Sequence, residues 1–125
     1  MKTKLIYLIL MTLVICFNAT AQLEGKKFST KVEGIGEINL EFKNNVYELS
    51  TSASVIVVKG NYEINKNTIN FTDTEGPMAC PEDITGKYEF VFNNEDLMLK
   101  AIQDACPGRN TMAGTLWKEV TKNRQ

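Results

Sequence analysis

Apolar and polar residues alternate along much of this chain, and this alternation limits the folds open to it more than any other feature. In the clearest case, polar residues separate Ile38, Leu40 and Phe42. Successive side chains of a β-strand point to opposite faces of a sheet, so a period of two places one face in a core and the other in water. The alternation therefore predicts an all-β protein.

About eight short strands follow from this pattern. The pair Asn44 and Asn45, which tolerates positive φ angles, separates two of them as in a tight hairpin. Prolines, which interrupt sheet hydrogen bonding, lie only beside two cysteines. Short strands joined by tight turns predict a small antiparallel meander that closes into a barrel, which leaves no exposed edges. The expected strands cover residues 28–32, 38–43, 47–51, 55–64, 69–71, 88–92, 97–102 and 116–120.

The N-terminus has the features of a secretory signal peptide. Two lysines precede an uncharged apolar run over residues 5–17, and small residues at positions 19 and 21 complete a cleavage site. The run is shorter than the ~20 residues that cross a bilayer. We therefore expect a signal peptide at 1–21, one domain at 22–125, no membrane span, and a secreted or periplasmic location. Lipid anchoring through Cys16 is not expected, because Ile15 precedes it where a small residue is needed.

Two cysteines, Cys80 and Cys106, remain in the expected mature chain. In an oxidising compartment such a pair is more often a disulfide than a metal site, and the sequence has no histidine to complete a zinc site. Closing a loop of 26 positions stabilises a fold by roughly 3 kcal/mol on the chain-entropy model. A redox pair would favour closer spacing or a cationic neighbour, for which Arg109 is the candidate. We predict a structural disulfide.

Charge and residue types argue against several function classes. Removing the two signal-peptide lysines from the 14 basic residues leaves the 15 acidic residues in excess, with a net charge of −3. This balance gives no support for nucleic acid or an anionic membrane as a partner. The sequence has no histidine, no nucleophile-elbow motif and no carboxylate cluster with metal-ligand spacing. We expect a non-enzymatic protein without cofactor or metal.

The C-terminal half contains several short motifs: Gly60-Asn61-Tyr62-Glu63-Ile64, Ile69-Asn70-Phe71-Thr72-Asp73, Cys80-Pro81, Gly86-Lys87-Tyr88, Leu97-x-Leu99, Asp104-x-Cys106-Pro107-Gly108-Arg109 and Leu116-Trp117. Together they resemble the motifs of small lipocalin-like (calycin) domains of secreted bacterial proteins. The resemblance covers residues 60–120 and implies a barrel of about eight strands with a hydrophobic interior. Near the first strand, Gly25 is followed by Phe28, where those domains carry a Gly-x-Trp motif.

A second set of residues consists of the segment from Gly60 to Ile64, Phe71 and the Met78-Ala79-Cys80 motif. This set resembles META-type domains of exported bacterial proteins, which are also β-rich.

Several residues are candidates for a site. We expect Asp104 and Arg109 to brace the loop around Cys106, by pairing with each other or with backbone carbonyls. The alternative is a clamp on a ligand carboxylate, since arginine offers a planar fork for such groups. An eight-stranded barrel is either filled by side chains or holds one small ligand, and the sequence leaves both open. The candidate interior residues are Tyr62, Phe71, Tyr88, Phe90, Leu99 and Trp117.

Two functions from different classes follow. The lipocalin-like resemblance implies a carrier or sensor that binds a small hydrophobic molecule inside the barrel. The alternative is a protein-binding module, similar to small periplasmic protease inhibitors. Its binding element would be an extended N-terminal strand at residues 22–27 or the loop that begins at Pro77 and ends at Glu82.

Overall fold

A computed structural model describes residues 22–121 of the chain. Over this range, eight antiparallel strands close into one barrel in sequence order. The expected signal peptide and Cys16 lie outside the described residues. The strands are β1 (Lys27–Val32), β2 (Gly36–Lys43), β3 (Val46–Thr51), β4 (Ile56–Asn65), β5 (Thr68–Glu75), β6 (Thr85–Asn93), β7 (Asp96–Gln103) and β8 (Leu116–Glu119).

Each strand pairs with the next one along the chain, and the last strand pairs with the first. The closing contact sets Phe28 opposite Glu119 and Ser29 opposite Lys118. Closure removes the open edges at which sheets aggregate. The predicted all-β meander and its closure into an eight-stranded barrel are confirmed.

The hairpin turns follow the local chemistry that the sequence predicted. Asn44 and Asn45 have φ angles of 54° and 62° between β2 and β3. Two consecutive positive φ angles make the turn that matches the right-handed twist of paired strands, and asparagine adopts them with little strain. Lys66 and Asn94 take a φ of 57° in the turns after β4 and β6.

Aromatic side chains fill the middle of the barrel and one of its ends. Phe71 lies with its ring centroid 4.8 Å from that of Tyr47 and 5.5 Å from that of Tyr88, and both pairs are edge-to-face. The rings of Phe42 and Tyr62 lie 5.0 Å apart in the same geometry. Such packing favours aromatic pairs through their quadrupoles and leaves little space between them. This part of the barrel is therefore filled.

Residues that precede β1 close the filled end, which we call the base. Leu23 is completely buried, and the Gly25 amide donates a hydrogen bond of 2.8 Å to the Phe42 carbonyl. The Glu24 carboxylate accepts hydrogen bonds from the Tyr62 hydroxyl and the Asn44 amide at 3.0 and 2.7 Å. The expectation of an extended N-terminal strand at residues 22–27 is therefore wrong, because burial of Leu23 folds this segment into a turn under the barrel.

Four loops form the opposite end, which we call the mouth: 33–35, 52–55, 76–84 and 104–115. The predicted disulfide joins two of them, with the Cα atoms of Cys80 and Cys106 6.1 Å apart. After Cys106 the chain forms a short helix, α1 (Pro107–Asn110). Proline is well placed in the first turn of a helix, because it has no amide hydrogen to satisfy there.

Within residues 22–121, no helix has the length and apolar composition needed to cross a membrane.

Candidate functional site

An arginine and two aspartates are buried together beneath the mouth loops. Arg109 projects from α1, Asp73 from β5, and Asp104 from the loop after β7, and each side chain is at most 2% exposed. The guanidinium holds Asp104 with two hydrogen bonds, Nε to Oδ2 at 2.7 Å and Nη2 to Oδ1 at 2.9 Å. Nη1 donates to Asp73 Oδ1 at 3.0 Å, and Nη2 also donates to the Ile84 carbonyl at 2.8 Å.

Tyrosine hydroxyls and backbone amides complete this arrangement. The Tyr47 hydroxyl donates to Asp73, and the Tyr88 hydroxyl donates to Asp104. The amide of Cys80 donates to Asp73 Oδ2 at 2.8 Å, and the amide of Cys106 donates to Asp104 Oδ1 at 2.9 Å. Each half of the disulfide thus holds one aspartate. We call the set of Arg109, Asp73, Asp104, Tyr47 and Tyr88 the Arg109 cluster.

Hydrogen bonds and neighbouring charges keep Arg109 and Asp104 ionised despite burial. Burial by itself disfavours the Arg109 cation, but hydrogen bonding to Asp104 and the charge of Asp73 outweigh it and raise the Arg109 pKa. Burial likewise opposes the Asp104 anion, and hydrogen bonds from Arg109, Tyr88 and the Cys106 amide outweigh it and lower the Asp104 pKa. Burial, followed by the hydrogen bond to Asp73, raises the Tyr47 pKa, so this hydroxyl stays protonated.

Gly86 on β6 leaves the space that Arg109 occupies. A Cβ atom at this position would lie 2.8 Å from Arg109 Nε and would overlap the Asp104 carboxylate. Real Cβ atoms do not approach other atoms so closely, so a side chain here would displace the ion pair. The glycine is therefore required by packing.

A cavity of about 90 Å³ lies between the Arg109 cluster and the mouth. Apolar side chains form most of its wall, and Tyr47, Asp73 and Arg109 form a polar floor. At the rim, Ile35 and Met78 are 55% and 53% exposed. The apolar lining residues are Val32, Ile35, Ile38, Leu49, Val57, Val58, Met78, Met112 and Trp117.

The residues that sequence analysis proposed for the barrel interior divide between the filled core and this cavity. Trp117 lines the cavity, and its indole Nε1 donates to the Met112 carbonyl at 3.1 Å. The other five are buried in the filled part and do not line the cavity. These are Tyr62, Phe71, Tyr88, Phe90 and Leu99.

Asp104 and Arg109 lie against each other, and Arg109 also contacts a backbone carbonyl. Asp104 occupies the planar fork that the alternative, a clamp on a ligand carboxylate, would use. Asp73, the second partner of Arg109, is not among the site residues predicted from the sequence. A signal was present, since Asp73 continues the alternation of Ile69 and Phe71 and so places a carboxylate at a core-facing position.

A metal site is the other arrangement that these residues suggest. One carboxylate oxygen of Asp73 and the sulfur atoms of Cys80 and Cys106 lie within 4.8 Å of one another. Metal ions bind thiolates, however, and these two sulfur atoms are bonded to each other. In the oxidised protein these two sulfur atoms form a structural disulfide and are not available as thiolate ligands for a metal ion.

Comparison of the chain with protein-family models, curated proteins and solved structures gives no significant match.

Proposed function

We propose that this protein is an exported, non-enzymatic, lipocalin-like carrier or sensor that binds a small, largely apolar molecule in the cavity at the barrel mouth. The observation that carries the proposal is an apolar cavity that is open at its rim and has a buried polar floor. Ligand sites commonly combine apolar walls with a few fixed polar groups. The disulfide between the mouth loops supports an oxidising compartment, which is consistent with export.

The size of the cavity limits the ligand. Its volume of about 90 Å³ is smaller than the ~150 Å³ that encloses a benzene ring. A slender chain therefore fits better than a ring system. The remainder of such a ligand would lie against Ile35 and Met78, whose exposed apolar surface at the rim has no partner within the described part of the chain.

The experiment uses the oxidised chain 22–125 and three eight-carbon probes: 1-octanol, octanoate and octylamine. Trp117 is the only tryptophan of the chain and lines the cavity. We therefore expect saturable changes in its fluorescence with at least one probe, confirmed by isothermal titration calorimetry.

Matched valine-to-phenylalanine variants test whether binding occurs in the cavity. Val58→Phe fills the cavity wall, whereas Val91→Phe adds the same atoms at an exposed position on β6. Binding should be lost in the first variant and unchanged in the second, with Leu49→Phe as a further wall variant. Far-UV circular dichroism checks that each variant is folded. Absence of saturable binding for all three probes, or equal binding by Val58→Phe, would overturn the proposal.

The alternative, a protein-binding module, has one remaining candidate surface. The N-terminal segment is packed at the base through Leu23, but the loop 77–82 presents Met78 to solvent. An inhibitor of secreted proteases would slow subtilisin or trypsin in a direct assay, and Met78→Glu would abolish that inhibition.

A further inference from the structure

We infer that the cavity selects uncharged amphiphiles, meaning a short apolar chain with one small polar group such as a hydroxyl. Chains of the same length that end in a carboxylate or an ammonium group should bind more weakly. The inference rests on the proposed ligand-binding function and adds to it the chemical class of the ligand.

The charge of the floor disfavours an anionic head group. One arginine and two aspartates lie in direct contact beneath the cavity, so Arg109, Asp73 and Asp104 together carry a net charge of −1. Because these groups are buried, water and salt screen them far less than surface charges. A ligand carboxylate would meet an excess of negative charge, although an arginine lines the cavity.

The hydrogen-bonding capacity of the floor is nearly used up. Both oxygens of Asp104 accept two hydrogen bonds each, and Asp73 accepts three in all. Four of the five guanidinium N–H groups of Arg109 have acceptors among residues 22–121. What remains is one N–H of Arg109, the oxygen of the Tyr47 hydroxyl and one lone pair of Asp73 Oδ2. One ligand hydroxyl can use a free donor and a free acceptor together, since it both donates and accepts.

Charged residues of the mouth loops disfavour an anionic ligand at the rim, as the floor does inside the cavity. Within the four loops, Glu33, Glu82 and Asp83 are exposed and acidic, and the only basic residue is the buried Arg109. An approaching carboxylate is repelled at the rim before it reaches the floor.

An ammonium group is drawn to the rim but is not accommodated at the floor. Burying an ammonium group requires acceptors for its three N–H groups, since an uncompensated buried charge is strongly unfavourable. The two buried aspartates have only one free lone pair, on Asp73 Oδ2, and the positive charge of Arg109 lies beside them. The floor therefore favours a neutral polar group over either ion.

The test compares 1-octanol, octanoate and octylamine at pH 7, which keep the chain length constant and change only the head group. We expect 1-octanol to bind at least about tenfold more tightly than either ion, because only the ions must lose the hydration of a full charge. Tighter or equal binding of octanoate or octylamine, with the sensitivity to Val58→Phe retained, would overturn this inference and leave the proposed function standing. Absence of binding by all three would overturn the proposed function itself.

Neutralising the exposed acidic residues of the mouth loops tests the effect of the rim charges separately from that of the floor, without a change in the core. Substituting Glu33→Gln, Glu82→Gln and Asp83→Asn removes the exposed mouth charges, so octanoate binding should strengthen while 1-octanol binding stays constant. The matched control removes three exposed acidic residues near the base, through Glu41→Gln, Glu63→Gln and Glu95→Gln, and should change neither affinity. An octanoate affinity that responds equally to both variants would contradict a role for the rim.

Discussion

Replacing Arg109 by methionine removes the positive charge of the buried cluster while keeping a side chain of comparable length. Asp73 and Asp104 would then remain as buried carboxylates without a counter-ion. They would keep the hydrogen bonds from Tyr47, Tyr88 and two backbone amides. The cavity left by the substitution is small, since methionine fills irregular gaps well.

The expected loss in the free energy of unfolding follows from this burial. Removing one partner of a buried ion pair costs about 3–5 kcal/mol, because a desolvated charge is left uncompensated. Because both aspartates keep other hydrogen-bond donors, we expect Arg109→Met to lose about 3 kcal/mol of unfolding free energy, near the lower end of this range. A single domain has a total stability of about 5–15 kcal/mol, so the variant should fold but unfold at a much lower urea concentration.

The dependence of stability on pH should change sign in this variant. In the native protein, Arg109 and other donors lower the Asp104 pKa despite burial. That contribution is complete above the unfolded value of about 3.9 and is lost as the pH falls through the folded value. In Arg109→Met the first of the hydrogen bonds that oppose burial is lost, so we expect burial to raise the Asp104 pKa and protons to bind more tightly to the folded state. The variant should therefore gain stability as the pH falls from 7 to 5, where the native protein gains none from Asp104.

Urea unfolding followed by far-UV circular dichroism, with the disulfide intact, measures these differences at both pH values. Lys59→Met is the matched control, because Lys59 makes two exposed ion pairs, at 3.7 Å with Glu48 and 3.9 Å with Glu75. Exposed pairs contribute about 0–1 kcal/mol. A loss of less than about 1 kcal/mol in Arg109→Met, equal to that of Lys59→Met, would show that the buried aspartates do not need Arg109 as a counter-ion. Parallel acid destabilisation of variant and native protein would do the same.

Two further substitutions test the packing. Gly86→Ala should destabilise the protein by about 1–3 kcal/mol in urea unfolding, because the added methyl group collides with Asp104 and Arg109. The control Gly108→Ala, which has open space around it, should leave stability unchanged or slightly higher. Equal effects of the two substitutions would argue against the close approach at Gly86. Leu23→Ala should lower the free energy of unfolding by about 2–5 kcal/mol, because Leu23 is completely buried at the base. The loss is measured as a fall in Tm. An unchanged Tm would mean that the N-terminal segment is not part of the fold.

Most of the fold depends on local patterns of residues, and for this reason the strands and turns could be predicted from the sequence. Alternation of apolar and polar residues specifies which face of a strand is buried, and the Asn44–Asn45 pair specifies a tight turn, without reference to distant residues. The pairing of Cys80 with Cys106 was predictable because the expected mature chain holds only these two cysteines.

The candidate site depended on contacts between distant parts of the chain. Asp73 and Arg109 are 36 positions apart and meet only because the barrel brings β5 under α1. Burial of Leu23, which turns the N-terminal segment under the barrel, likewise depends on the shape of the base.

The strands, the turns and the disulfide could be predicted because each depends on a period of two, on turn chemistry or on the presence of only two cysteines in the expected mature chain. The three-dimensional structure was needed to show that aromatic side chains fill one end of the barrel while a small cavity remains at the other. The volume inside a closed barrel depends on how side chains from all eight strands pack against one another, and no local pattern encodes that sum.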